Sequence, residues 1–524
     1  MKRPYTYKNS RTETTILNAF LRGKRRGGGK HIAILDADGR ELTYADLTKA
    51  IFALGSALTR LTDKDETVGV MLPTGAASVI ATLGLSAYGR VPAMFNFTAG
   101  ERNLRSAMKT GQIKRVITAH QFIEKGNLEA LEASLGKEAE LVYLEDVREG
   151  LTLKDKISAL IGSVFPGLVA ARRYHDDTAV LLFTSGTEGD PKGVALSHKN
   201  LVSNVEQVIA HVPELMEDDI VYNPLPTFHC FGLTGGAFLP LFAGLTAAMH
   251  PSPLQTKEIV QRIKKTKATI LLATDTFVSQ YARVGKEGDL DQLRYAVCGA
   301  ERVRDETRAL LRRKYNVTLL EGYGLTEASP VLAVNPPSDN RPGTVGTLLP
   351  DCEYRLETVE GIDRGGRLFI RGPNVMKGYV MPDAPGVIQA PPEGWHDTGD
   401  IVTVDDDGYI AIRGRLKRFA KIGGEMVSLT VVENCASSIW PDHLHAAAAV
   451  PDGRKGEQIV LLTESQDANR GDTVGFIQNH GISELAAPRK VIKVDAIPLL
   501  GTGKTDYGAV QRLAEAQVVE KETA

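Results

Sequence analysis

The run FTSGTEGDPKG (residues 183–193) combines hydroxyls, glycines and a lysine in one short span. Thr184, Ser185 and Thr187 can donate to phosphate oxygens, Gly186 lets backbone N–H groups converge on them, and Lys192 adds a point charge. That chemistry is the cradling of a polyphosphate. The spacing is not that of a Walker loop, which sets GK[ST] at a helix start. Taken alone, the run also suits ordinary turn chemistry between strands. Further segments follow in order: EGYGLTE (321–327), GWHDTGD (394–400), GRLKRFAKIGGE (414–425) and PLLGTGK (498–504). They bring Glu327, a hard oxygen ligand for a divalent cation, and Asp400, an acceptor pair matched to a diol. They also bring Lys504, a lysine flanked by glycine.

Such groups need a scaffold. Strand patterns at 67–72, 91–95, 141–146, 179–183, 269–274 and 295–301 alternate with helical patterns at 77–89, 257–266 and 305–314. The segment after the phosphate run is expected to open a helix. Ser197 is its candidate N-cap, and Leu201, Val205, Val208 and Val212 line one face. This alternation predicts an α/β fold of parallel-rich sheets covered by helices. After about residue 351 short strands at 366–372 and 408–414 are separated by turn clusters, the texture of a small β subdomain. Beyond Lys417 short strands and helices mix as in a separate α+β module.

The 524 residues suffice for two to four domains, and 43% apolar with 24% charged residues is ordinary for a soluble globular protein. A net charge of −2 carries no nucleic-acid signature. Cys230, Cys298, Cys352 and Cys435 lack metal or disulfide spacing and fit a reducing cytoplasm. The N-terminal residues show no apolar signal core. The apolar stretch 230–249 is long enough to span a bilayer, but Pro240 and its glycines favour a buried helix, a stop at Gly244 and a buried strand. A basic tip, LRGKRRGGGK (21–30), reads as a solvated loop or an anion-facing patch. KISALIGSVFPGLVAARR (156–173) is apolar, flanked by basic residues and too short to span; it suits a connector or a membrane interface. His31 and Asp36 have the HxxxxD spacing of glycerolipid acyltransferases, which we read as coincidence.

The five segments in their order resemble the core motifs of the adenylate-forming superfamily: acyl-CoA synthetases, adenylation domains of peptide synthetases and insect luciferases. The resemblance covers nearly the whole chain. It implies ATP and Mg²⁺ as cofactors, an acyl-adenylate formed with release of pyrophosphate, and displacement of AMP by a nucleophile. It assigns the phosphates to Thr184, Ser185, Gly186, Thr187 and Lys192. Tyr323, between Gly322 and Gly324, would stack on the adenine, and Gly299, Ala300 and Glu301 would form the adenine-side loop. Thr326 would donate to the α-phosphate, and Glu327 would hold the metal. Asp400 would accept the ribose hydroxyls, Arg415 would support the ribose or the α-phosphate, and Lys504 would meet the charge that develops during adenylation. The domains implied are residues 1–413 (β subdomain from about 340), a hinge at 414–417 centred on Lys417, and a mobile C-terminal domain at 418–524. Lys421 and Gly423–Gly424 would serve the second half-reaction. Arg418 departs from the acidic residue many relatives carry after the hinge lysine, and Glu188 stands where most members have a hydroxyl. His229 occupies the position of the aspartate that binds the amino group in peptide-synthetase domains. That loss, with the small residues of GLTGGA (232–237) leaving room for an extended alkyl chain, points to a fatty acid.

FTSGTEGDPKG, NFTAGERNL (96–104), GRLKRFAKIGGEMVSL (414–429) and PLLGTGKTD (498–506) further resemble the acyl-acyl carrier protein synthetase module of bacterial 2-acylglycerophosphoethanolamine acyltransferase/acyl-ACP synthetases. The implied acceptor is the phosphopantetheine thiol of acyl carrier protein, with coenzyme A as the alternative because both thiols share that arm. Reacylation of a lysophospholipid would need a separate acyltransferase. Arg454, Lys455, Arg489, Lys490 and Lys493 would offer a basic face to the acidic carrier. The expected location is the cytoplasm or the inner face of a bacterial membrane. A non-catalytic nucleotide- or lipid-binding partner of an acyltransferase is the reading from another class, and a luciferase-type oxygenase is a further one.

Overall fold

The computed structural model describes residues 6–184, 191–362, 364–422, 425–452, 456–499 and 505–519. The chain forms two compact units, residues 1–352 with 371–396, and residues 353–370 with 397–524. The β-rich segment that follows residue 352 is thus shared between them.

The first unit holds two large sheets. One runs in the order Thr347–Leu348, Val331–Val334, Thr318–Gly324, Tyr295–Cys298, Ile270–Ala273, Ile220–Asn223, Thr246–Met249, Ile32–Leu35, Glu41–Thr43. Its neighbours from Thr318–Gly324 to Ile32–Leu35 are parallel, and the edges are antiparallel. The other sheet has parallel strands Thr178–Thr184, Val91–Met94, Thr67–Val70, Arg115–Thr118 and Glu140–Tyr143. Lys192–Ser197 and Gly378–Val380 extend it antiparallel. The central strands are buried on both faces, which explains their unbroken Val/Ile/Leu/Ala runs.

Two local expectations need correction. The segment after the phosphate run is the strand Lys192–Ser197, and the helix follows it at His198–His211. The short apolar run Val194–Leu196 there pairs with Thr178–Thr184 before any helix begins. Ser197 is the N-cap as expected, accepting from the Asn200 N–H in a capping box. Likewise the strand expected at 141–146 ends at Tyr143, and Leu144–Glu149 is helical, with Glu145 and Asp146 in its first turn. The stretch 230–249 is a π-helix Phe231–Phe238, an α-helical turn Leu239–Ala243, a left-handed Gly244 and the strand Thr246–Met249. Among the described residues no helix is long and apolar enough to cross a membrane.

The helix Leu153–Val164 packs its inner face on the helix Tyr44–Leu58. Its fully buried Asp155 accepts from the Ser56 hydroxyl at 2.7 Å and from Arg60 at 2.7 and 2.8 Å, and it closes the capping box with Thr152. Burial alone would raise this carboxyl, but the bonds from Thr152, Ser56 and Arg60 outweigh it and hold it at about 2. A depressed folded value stabilises above the ordinary carboxylate range and is lost as pH falls through that folded value. Asp155→Asn is expected to cost about 2 kcal/mol at neutral pH. The gap to the wild type should close between about pH 4 and pH 2, as read by chemical unfolding across that range.

The second unit contains the four-stranded sheet Glu353–Glu357, Gly366–Arg371, His396–Val404, Ile410–Arg415. It also contains a five-stranded sheet built on Phe419–Ile422, Glu425–Ser428, His445–Asp452, Gly456–Thr463 and Lys490–Lys493, covered by Leu429–Ile439 and Tyr507–Val519.

Candidate active site

The hairpin Thr178–Thr184/Lys192–Ser197 pairs Thr184 directly with Lys192. Ser185, Gly186 and Thr187, expected from the sequence to meet the phosphates, lie outside the described residues, as does Glu188. Lys192 is the first residue of its strand, and the next strand across the sheet, Gly378–Val380, brings Tyr379 beside it. The Lys192 ammonium lies 5.2 Å from the Tyr379 ring centroid. The Tyr379 hydroxyl donates to Glu327 Oε1 at 2.6 Å. Glu327 and Thr326 open a short 3₁₀ turn after the strand Thr318–Gly324, and the Met376 N–H donates to the Glu327 carbonyl at 2.8 Å. Lysine, tyrosine and carboxylate thus meet from three separate segments.

This set fits a metal that arrives on a polyphosphate. Glu327 offers a hard oxygen ligand, half-buried and oriented by Tyr379. Among the described residues no three metal-binding side chains cluster, so a divalent ion would draw its remaining ligands from phosphate and water. Tyr379 had no sequence signal. Its role comes from antiparallel pairing with a strand far away in the chain. Tyr379→Phe removes a bond to a charged group, and we expect about tenfold weaker adenylation with a raised Mg²⁺ requirement, measured by pyrophosphate exchange across Mg²⁺ concentrations.

The strand ends Tyr295–Cys298 and Thr318–Gly324 are parallel neighbours, with Cys298 opposite Glu321. The Gly299–Ala300–Glu301 loop therefore leaves the sheet beside Gly322, Tyr323 and Gly324, where open α/β sheets place ligands. Ala300 sits at φ 70°, left-handed backbone that a residue with a Cβ adopts at some cost. Glu301 anchors this loop by accepting from the Thr276 N–H at 3.0 Å and its hydroxyl at 2.9 Å. Tyr323 is buried.

His229 is half-buried just before the π-helix, its ring tilted against Phe228 at 4.9 Å. The small residues of GLTGGA are not spare room. A methyl at Gly236 would come 2.1 Å from the Asn223 side chain, and one at Gly232 2.3 Å from the Pro226 carbonyl. The expectation that these glycines open space for an alkyl chain is thus corrected: they let the π-helix sit against its neighbours. Phe231 packs against the buried apolar cluster of Val221, Leu225, Ile270 and Leu272, and a methyl at Gly299 would lie 3.6 Å from its ring. Burial pushes the Cys230 thiol up to about 12 and the Cys298 thiol well above its ordinary value, so neither supplies a thiolate.

The remaining candidates belong to the second unit. Asp400 and Arg415 face each other across antiparallel strands, and the Arg415 Nε donates to Asp400 Oδ1 at 3.1 Å. Asp400 is buried and Arg415 largely exposed. Lys417 is exposed in the 3₁₀ turn Leu416–Arg418, and Lys421 is exposed on the strand Phe419–Ile422. Lys504, Gly423, Gly424, Arg454 and Lys455 lie outside the described residues. Arg489 is paired with Asp452 at 3.2 Å, and Lys490 and Lys493 donate to the carbonyls of Gln517 and Gln466. These charges are therefore partly engaged within the unit.

Arg418, the departure beside Lys417, is accounted for. Its guanidinium lies 3.6 Å from the Tyr507 ring centroid, donates to the Ala447 carbonyl at 2.7 Å, and pairs with Glu433. Glu433 also accepts from the Ala447 N–H at 2.8 Å and the Tyr507 hydroxyl at 3.4 Å. Arg418→Ala leaves Glu433 without its counter-ion, and chemical unfolding should show this unit destabilised by about 3 kcal/mol.

A parallel α/β unit with a hairpin that carries Lys192, a carboxylate and tyrosine at strand ends, and a half-buried histidine beside an apolar π-helix suits a nucleotide-dependent ligase. The chain belongs to the AMP-binding enzyme family, whose sequence model matches residues 22–380. It is 30% identical to 4-coumarate--CoA ligase 1 of Petroselinum crispum, over 91% of this chain and 90% of the relative. It is 31% identical to 4-coumarate--CoA ligase of Vanilla planifolia, over 88% and 86%. Its fold matches the anthranilate CoA ligase AuaEII in complex with anthranoyl-AMP at a TM-score of 0.82, with 21% identity over 98% of this chain and 100% of that one. ATP-bound MatB from Rhodopseudomonas palustris matches at 0.81, with 24% identity over 96% and 99%. The chain is an AMP-forming ligase that uses ATP with Mg²⁺ to make an acyl-adenylate.

Proposed function

We propose that this ligase activates a fatty acid and transfers it to the phosphopantetheine thiol of acyl carrier protein. The observation that carries the adenylation half is the joining of Lys192, Tyr379 and Glu327 at one point of the first unit. A carboxylate oxygen of the acid attacks the α-phosphorus of ATP, and the bond to pyrophosphate breaks. Thr184 and Lys192 bind the departing phosphates, Thr326 donates to the α-phosphate, and Tyr379 keeps Glu327 aimed. Mg²⁺ held by Glu327 would neutralise phosphate charge. Tyr323 and the Gly299–Glu301 loop take the adenine, and Asp400 with Arg415 takes the ribose. The thiol sulfur then attacks the acyl carbon, and AMP leaves. His229 shields the carboxylate between these steps, and Lys417 is the hinge about which Lys504 and Lys421 exchange roles.

The apolar surroundings of Phe231, with a histidine rather than a carboxylate at residue 229, support an acid without an amino group. Coenzyme A as acceptor is the second reading, favoured by the names of the relatives that match along nearly their whole length. AMP formation with palmitate, with 4-coumarate and with a free amino acid, each with holo-acyl carrier protein or coenzyme A, separates the cases. Palmitate turnover that requires carrier protein is the expected result. Palmitate turnover with coenzyme A alone changes the acceptor, and preference for 4-coumarate or an amino acid overturns the fatty acid.

A further inference from the structure

The helix Leu153–Val164 and the turn after it carry an apolar face that no described residue covers. Leu153, Ile157, Leu160 and Val164 recur at the spacing of one helical stripe, and Phe165 and Leu168 extend it. Leu153, Leu160, Phe165 and Leu168 are 73%, 64%, 62% and 79% exposed. A contiguous exposed patch of this kind marks an interaction surface. The helix cannot roll its stripe inward. Its opposite face is fixed by the Asp155–Arg60 pair, and at Gly162 a Cβ would lie 2.5 Å from the Phe52 ring.

We propose that this face lies in the plane of an anionic lipid bilayer surface. The charges around it select that occupant. Lys154 and Lys156 are exposed on the helix itself, and Arg172 is exposed beyond the turn, 6.0 Å from the ring centroid of the exposed Tyr174. The Lys24 ammonium donates to the Ser163 carbonyl at 3.2 Å, which brings the basic end of the helix Ile16–Gly27, with Arg25, to the same edge. Between residues 151 and 175 the single carboxylate is Asp155, and it is buried. An apolar stripe rimmed by lysine, arginine and tyrosine is the composition of an in-plane interfacial helix. At 12 residues the helix is too short to span. A second copy docked by twofold symmetry would set this basic-rimmed patch against the same basic-rimmed patch. The inference does not depend on which acid is activated.

The test is co-sedimentation of the full chain with vesicles of phosphatidylcholine alone and of phosphatidylcholine mixed with phosphatidylglycerol. The wild type should sediment with the mixed vesicles and release with salt. Leu160→Glu/Phe165→Glu should bind at least about tenfold more weakly, and Lys154→Gln/Lys156→Gln should lose the preference for anionic lipid. Both variants replace exposed side chains, and unchanged pyrophosphate exchange in vesicle-free buffer shows that they are folded. Wild-type protein that stays in the supernatant overturns the proposal, as do variants that bind like wild type. A dimer seen by light scattering and dissociated by Leu160→Glu/Phe165→Glu would assign the face to a second copy instead.

Discussion

Glu327→Gln is expected to lower pyrophosphate exchange by about 10²- to 10³-fold while leaving the folded unit intact. The amide oxygen can still accept from Tyr379, whose hydroxyl sits 2.6 Å from the native carboxylate. The local frame therefore survives: the Met376 N–H on the Glu327 carbonyl and the packing of buried Ala328 do not involve the side-chain charge. What is lost is the negative hard ligand that a divalent ion on a polyphosphate requires. Two measurements separate this from a structural role. Thermal unfolding should match the wild type, and the Mg²⁺ concentration for half-maximal exchange should rise. Exchange within about tenfold of wild type at an unchanged Mg²⁺ requirement would mean that Glu327 only holds its turn to the strand of Tyr379.

The contrast between Glu327 and Tyr379 shows what a linear reading reaches. Glu327 lies in a dense local motif whose residue types already state a chemistry. Tyr379 gains its meaning from strand order, because Gly378–Val380 pairs with the very strand that begins at Lys192. The same distinction holds for the scaffold. The Ser197 cap and the Gly244 stop are local devices, and both stand where expected. The strand Lys192–Ser197 is decided by a partner, since its short apolar run has no periodicity that separates strand from helix. Glycine was the least legible residue. In the π-helix it admits neighbouring groups rather than leaving a void, as Gly236 does for Asn223. Arg418 is similar: an odd charge in the sequence, it meets Glu433 and Tyr507 from separate elements of the fold.

Lys504→Ala is expected to reduce adenylation by about 10²- to 10³-fold and to leave transfer from a supplied acyl-adenylate within a few-fold of wild type. Lys504 lies outside the described residues, and the chain on either side of it makes defined contacts. Leu499 and Thr505 form an antiparallel bridge, and the Asp506 N–H donates to the Pro498 carbonyl at 2.8 Å. Tyr507, at the start of the helix Tyr507–Val519, is held against Arg418 and Glu433. The described residues that flank Lys504 are thus joined to each other and, through Tyr507, to Arg418 beside Lys417. A point cation suits charge that appears in only one of the two half-reactions. Pyrophosphate exchange reads the first half, and thioester formation from synthetic acyl-adenylate reads the second. An equal loss in both would make Lys504 a general binding residue, and a loss in neither would remove it from the chemistry.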